Sequence, residues 1–258
     1  MLDILITSAA VRGSLDIRSL SPPPAGWTLW DAFKVVMLFL FFGYIMVLSE
    51  AFLSRVVPAL KSENIRMILN TSVLDVVAVI LVIYFAVTQY KNRIEALGLS
   101  LKNVFKNIFY GLAGYIALVP VLVLILAATA VVINITKYIP AKQPVVELLL
   151  KEKDTAFLAY SSLFAAIAGP FVEELFFRGF LYGALKRYIS VFWSMLVTAA
   201  LFAALHTHVV GFLPIMALGV LLAYLYEKTG TLVSSITVHI AHNLSMVFLV
   251  FLIKQAGS

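Results

Sequence analysis

Three charged side chains interrupt an apolar run at Gly169-Pro170-Phe171-Val172-Glu173-Glu174-Leu175-Phe176-Phe177-Arg178-Gly179-Phe180. Residues 156–168, just before it, carry no charge. Inside a bilayer, two carboxylates and a guanidinium are costly unless they pair or take part in chemistry. On a helix, Glu174 and Arg178 stand at i and i+4 with the acid first, the favourable order for an ion pair. Glu173 is turned about 100° away from Glu174. The spacing therefore divides the labour: Glu174 can be neutralised by Arg178, and Glu173 is left free to act as a base. A solvated helix end with an ordinary salt bridge would use the same residues. Two further apolar stretches carry imidazoles, Phe202-Ala203-Ala204-Leu205-His206 and His239-Ile240-Ala241-His242-Asn243. His239 and Asn243 are again i and i+4 and share a face. A lone histidine on an apolar helix is more often a hydrogen-bonded core residue than a catalyst. The three stretches can share one chemistry only if they meet.

The elements that must bring them together are membrane helices, each needing about 20 apolar residues. Candidate spans begin at 32–53, with Trp27 and Trp30 as interface anchors, and continue at 67–90 and 108–136. A fourth starts at Thr155, and Gly169-Pro170 is expected to kink or break it. Residues 191–226 are too long for one helix, and Gly211 and Pro214 mark where they should divide. The last span is 231–253. The count is seven, or eight if the third or the N-terminal segment splits. The expected fold is an all-α polytopic transmembrane bundle. Residues 1–31 form an interfacial lead-in, and 32–258 form one membrane domain. Leu2 to Val11 has no basic residue before it and does not read as a cleavable signal. Residues 91–107, basic with interleaved leucines, read as an amphipathic segment in the interface. Glu50 and Asp75, near or inside the first two spans, can face the bundle interior and are read as structural.

Composition sets the same bounds. Hydrophobic residues make up 62% of the 258-residue chain and charged residues 12%, about half the charged share of a soluble domain. The net charge of +6 is spread over loops. It reads as cytoplasmic anchoring, with the N-terminus inside, and gives no basic patch for nucleic acid. With no cysteine, disulfides, thiolate metal sites and cysteine nucleophiles are excluded. The fourth and fifth spans should form an antiparallel hairpin with Lys186, Arg187 and Tyr188 at its tip. Glu173 and His206 lie at nearly equal distances from that tip along the sequence, so at 1.5 Å per residue they come to the same depth.

Glu-Glu-x-x-x-Arg, then Phe-x-x-x-His, then His-x-x-x-Asn, in hydrophobic helices and in this order, resembles the CAAX protease and bacteriocin-processing (CPBP, or Abi) family. The matching residues are Glu173, Glu174 and Arg178, then Phe202 and His206, then His239 and Asn243. They cover residues 156–253, the expected catalytic core. The resemblance implies a glutamic-type intramembrane endopeptidase in a prokaryotic plasma membrane, with its site opening toward the cytoplasm. Its substrate would be a peptide or protein, with prenylated and other membrane-associated proteins in range.

The residues suit that chemistry. Glu173 can take a proton from water and His206 can hold that water, while His239 and Asn243 can donate to an oxyanion. Phe202 can pack on the His206 ring. Within enzymes the alternative is zinc on Glu173, His206 and His239 with water in the fourth place. The metal-free mechanism, with no cofactor, is preferred because Asn is a poor zinc ligand and a good oxyanion donor. The alternative outside enzymes is a bacteriocin self-immunity or scaffold protein. His208 and His242 fall outside the motifs.

Overall fold

The computed structural model of the chain describes residues 26–138, 144–206 and 209–256. The lead-in up to residue 25, Pro140, Lys142 and His208 lie outside the described residues. No strand occurs among the described residues, which form eight helices: α1 (Leu29–Leu53), α2 (Glu63–Thr88), α3 (Val104–Thr136), α4 (Pro144–Lys151), α5 (Thr155–Leu185), α6 (Val191–Leu205), α7 (Val209–Thr229) and α8 (Leu232–Ala256). Six of them are long and apolar enough to cross a membrane, and α6 is a shorter apolar helix. The expected all-α polytopic bundle is what forms.

The bundle is dressed for lipid. Large apolar side chains such as Leu40, Phe52, Phe109, Leu124 and Phe248 stand on its outside. Glu174, Arg178, Ser194, Thr198, Ser234, Ser235 and His239 are buried within it. This arrangement fits a hydrocarbon solvent, where polar groups must find partners inside the protein.

Local chemistry explains the helix boundaries. α1 opens on a capping box in which the Asp31 N–H donates to Thr28 Oγ1 and the Thr28 N–H donates to Asp31 Oδ2 at 2.9 Å. Each thus satisfies an orphan group of the first turn. Tyr90 also donates to Asp31, at 2.6 Å, and that bond makes the phenol hold its proton more tightly. α5 and α6 start on Asp154 and Ser190, whose side chains accept from first-turn N–H groups. Of the kink or break expected at Gly169-Pro170, the break does not occur: the chain stays helical across it. A π turn at Phe164–Ala168 precedes Pro170, and the Gly169 N–H bonds to the Phe164 carbonyl five residues back. This wider turn absorbs the proline that an unbroken α-helix would have to kink around. A second π turn spans Leu175–Leu181.

Residues 191–226 divide at His206 rather than at Gly211 or Pro214. Pro214 sits near the start of α7, where its missing N–H costs a single intrahelical bond. Trp27 is not an interface anchor either. It is buried, stacked on Phe180 at 5.5 Å, and its Nε1 donates to the Phe180 carbonyl at 2.8 Å. Trp30 is exposed, as an anchor should be.

The basic stretch 91–107 is anchored to the bundle at its centre. Leu97 is fully buried, and the Gly98 carbonyl accepts from the Leu232 N–H at 2.8 Å. Gly98 has φ +79°, and a Cβ there would lie 2.4 Å from the Tyr226 ring. Both the left-handed backbone and the missing space call for glycine. Gly98→Ala should therefore destabilise the fold by about 1–3 kcal/mol, read as a lower melting temperature of the protein in detergent. An unchanged melting temperature would mean that the 94–98 loop does not lock α7 to α8.

Candidate active site

The site begins with a buried ion pair. Glu174 and Arg178 are both fully buried, and Arg178 Nη1 donates to Glu174 Oε1 at 2.8 Å. Arg178 Nη2 donates to the Gly219 carbonyl on α7 at 3.2 Å. Gly219 also lets α6 and α7 approach closely, since a Cβ there would stand 3.0 Å from Ala199. The guanidinium lies over the Phe202 ring, with Cζ 4.5 Å from its centroid. A planar cation stacked on an aromatic face and bonded at two edges is well suited to burial.

His239 of α8 joins this pair to the second glutamate. Its Nδ1 donates to Glu174 Oε1 at 3.0 Å. Its Nε2 lies 3.6 Å from Glu173 Oε2. The imidazole is 2% exposed, whereas the Glu173 side chain is 38% exposed. The two neighbouring carboxylates thus occupy opposite environments, one enclosed and partnered on two sides, the other open.

The Phe202 ring is the common wall. It lies 4.6 Å from the His206 ring and 5.5 Å from the His239 ring, edge-on to the latter. His206 caps α6 with non-helical dihedrals, and its Nδ1 is 2.8 Å from the Phe202 carbonyl. A carbonyl only accepts, so Nδ1 carries the hydrogen. In the neutral ring this leaves Nε2 as the acceptor.

Asn243, one turn beyond His239, is already engaged. Its Nδ2 donates to the Ala165 carbonyl at 2.8 Å and ties α8 to the first π turn. One of its amide hydrogens is therefore spoken for. Among the described residues no three His, Cys, Asp or Glu side chains are grouped as a metal site requires, so the geometry lends nothing to the zinc set.

Two groups near the site were not singled out by the motifs. His242 packs edge-on against Tyr115 at 5.9 Å, and its buried Nδ1 has no partner among the described residues. It is within electrostatic reach of both His206 and His239, and its i, i+3 relation to His239 was the available signal. Asp75 of α2 is in electrostatic reach of Glu173, and its Oδ2 is buried without a partner. By contrast, Glu50 has a structural place, paired with Arg66 and accepting from Asn70 at 2.7 Å. At the hairpin tip Lys186 pairs with Glu227 at 2.7 Å, and Arg187 donates to the Gly26 and Trp27 carbonyls.

Residues 155–245 match the family described as type II CAAX prenyl endopeptidase Rce1-like. The protein named "Putative membrane peptidase YdiL" of Bacillus subtilis (strain 168) is 29% identical over 85 residues, which are 33% of this chain. The match spans 35% of that relative's length. No solved structure matches the chain. The family match covers the segment of this multi-pass membrane protein that bears all three motifs, residues 155–245, and the chain is similar there to the type II CAAX prenyl endopeptidase Rce1-like family.

Proposed function

We propose that the chain is an intramembrane endopeptidase in which Glu173 activates the attacking water. The observation that carries this reading is the unequal setting of the two glutamates: Glu174 is buried with Arg178 and His239 both bonded to its Oε1, and Glu173 is open beside the His239 ring. A base must reach water, and a structural partner need not.

In the proposed reaction Glu173 takes one proton as the water oxygen bonds to the peptide carbonyl carbon. His206 Nε2 accepts the other water hydrogen as a hydrogen bond and orients the nucleophile. The carbonyl oxygen becomes an oxyanion, with His239 Nε2 and the second amide hydrogen of Asn243 as its donors. Because Nδ1 of His239 already donates to Glu174, donation from Nε2 requires the imidazolium form. The C–N bond then breaks, and Glu173 returns its proton to the leaving amine. The substrate is a membrane-associated peptide or protein, prenylated proteins included, and the site opens to the cytoplasmic side of a prokaryotic plasma membrane.

Glu173→Gln should lower cleavage by about 10²–10⁴-fold and leave the melting temperature unchanged. The assay is the purified protein in liposomes with an internally quenched apolar peptide library. Full cleavage by Glu173→Gln would remove Glu173 from the role of base, and no cleavage by the unaltered chain would favour the self-immunity or scaffold alternative. Glu174→Gln should instead lose about 3–5 kcal/mol of stability, because it strands Arg178. Normal folding with lost cleavage would exchange the roles of the two residues.

Asn243→Ala separates two contributions. Loss of an oxyanion donor should lower turnover by about 10²–10³-fold with little change in KM. Loss of the Ala165 bond alone should lower only thermal stability, by about 0.6 kcal/mol. Chelator treatment is expected to leave turnover unchanged. A loss that zinc alone restores would replace the metal-free step.

A further inference from the structure

A cavity of about 650 Å³ lies between α2 and α5, with α8 along one side. Its walls are mostly apolar, including Val76, Val79, Ile80, Ile167 and Phe171, and they reach Val172, the residue before Glu173. Among the described residues one carboxyl side chain breaks that lining, Asp75 from the middle of α2.

The other polar groups of the wall are satisfied without it. Tyr160 Oη is 2.9 Å from both Thr71 Oγ1 and Ser72 Oγ, and it also reaches the Ile68 carbonyl. Asp75 Oδ2 has no hydrogen-bond partner among the described residues. A buried carboxyl without a partner is expensive whether charged or neutral, since each form has hydrogen-bonding capacity to fill. No lysine or arginine lines the cavity. Asp75 is thus the one carboxylate of the cavity wall among the described residues.

An occupant must therefore combine an apolar body with a positively charged end. A lysine or arginine side chain has that form: its methylene stem can lie along apolar walls while its head meets a carboxylate. Resting on the peptidase reading above, we propose that this cavity is a substrate subsite for a basic side chain next to the cleaved bond. Asp75 is its specificity-determining residue. The charge complementarity lies on the substrate side, and the unpaired carboxyl is completed only when peptide is bound. A lipid chain would fill the apolar volume but leave Asp75 without a partner.

The test is a binding measurement on the full chain carrying Glu173→Gln, so that cleavage does not interfere. The probes are a fluorescent apolar peptide with one central lysine and the same peptide with norleucine there. The lysine peptide should bind at least about tenfold more tightly. Asp75→Asn should remove that difference, and Asp75→Glu should keep most of it. Equal affinity for both peptides, no binding of either, or a preference that survives Asp75→Asn overturns the subsite. Cleavage by the chain with Glu173 intact is scored separately. A lysine preference in binding without cleavage of either peptide would strike the peptidase reading and leave the subsite standing. Cleavage of both peptides with equal binding would do the reverse.

Discussion

The Arg178–Glu174 pair is the constraint on which the rest of the bundle depends. A fully buried guanidinium cannot be left with a single partner. It draws on Glu174 within its own helix, the Gly219 carbonyl of α7 and the face of Phe202 on α6. Glu174 in turn holds His239 of α8. Four helices are thus fixed around one charge, and each contact constrains where the next helix sits. Gly219 shows the cost of this arrangement, because its carbonyl is within reach only where α7 and α6 nearly touch.

The π turns of α5 serve the same end. In the first, the Ala165 carbonyl is bonded by Asn243, so the irregularity becomes an attachment point for α8. π turns inside α-helices often occur at functional sites, where they re-aim side chains without ending the helix. Here one lies on each side of the short α-helical segment Gly169–Glu174, which bears both glutamates.

The part of the site governed by local periodicity was legible in the sequence. The i, i+4 pairing of Glu174 with Arg178 and the different orientation of Glu173 follow from helix geometry alone, and the fold class follows from the length of the apolar runs. Interactions between distant segments were not legible. The burial of Trp27 depends on Phe180, 153 positions away. The packing of residues 94–98 depends on Tyr226 and Leu232, which no local pattern announces. Gly169-Pro170 announced a disturbance of the helix but not its form. Proline signals a disturbed helix, and the disturbance can take the form of a wider turn as well as a break. Asn243 shares a face with His239 as its spacing required, yet spacing could not reveal that the Ala165 carbonyl would be its partner.

The brevity of α6 has a consequence for solvent. Its 15 residues span about 22 Å at 1.5 Å per residue, against a hydrocarbon thickness of about 30 Å. The shortfall, about 8 Å, must be met by thinning of the bilayer or by hydration of the gap. His206 stands at one of the two ends of this short helix. A helix shorter than the hydrocarbon layer is a route by which water can approach one flank of a bundle without a channel of its own.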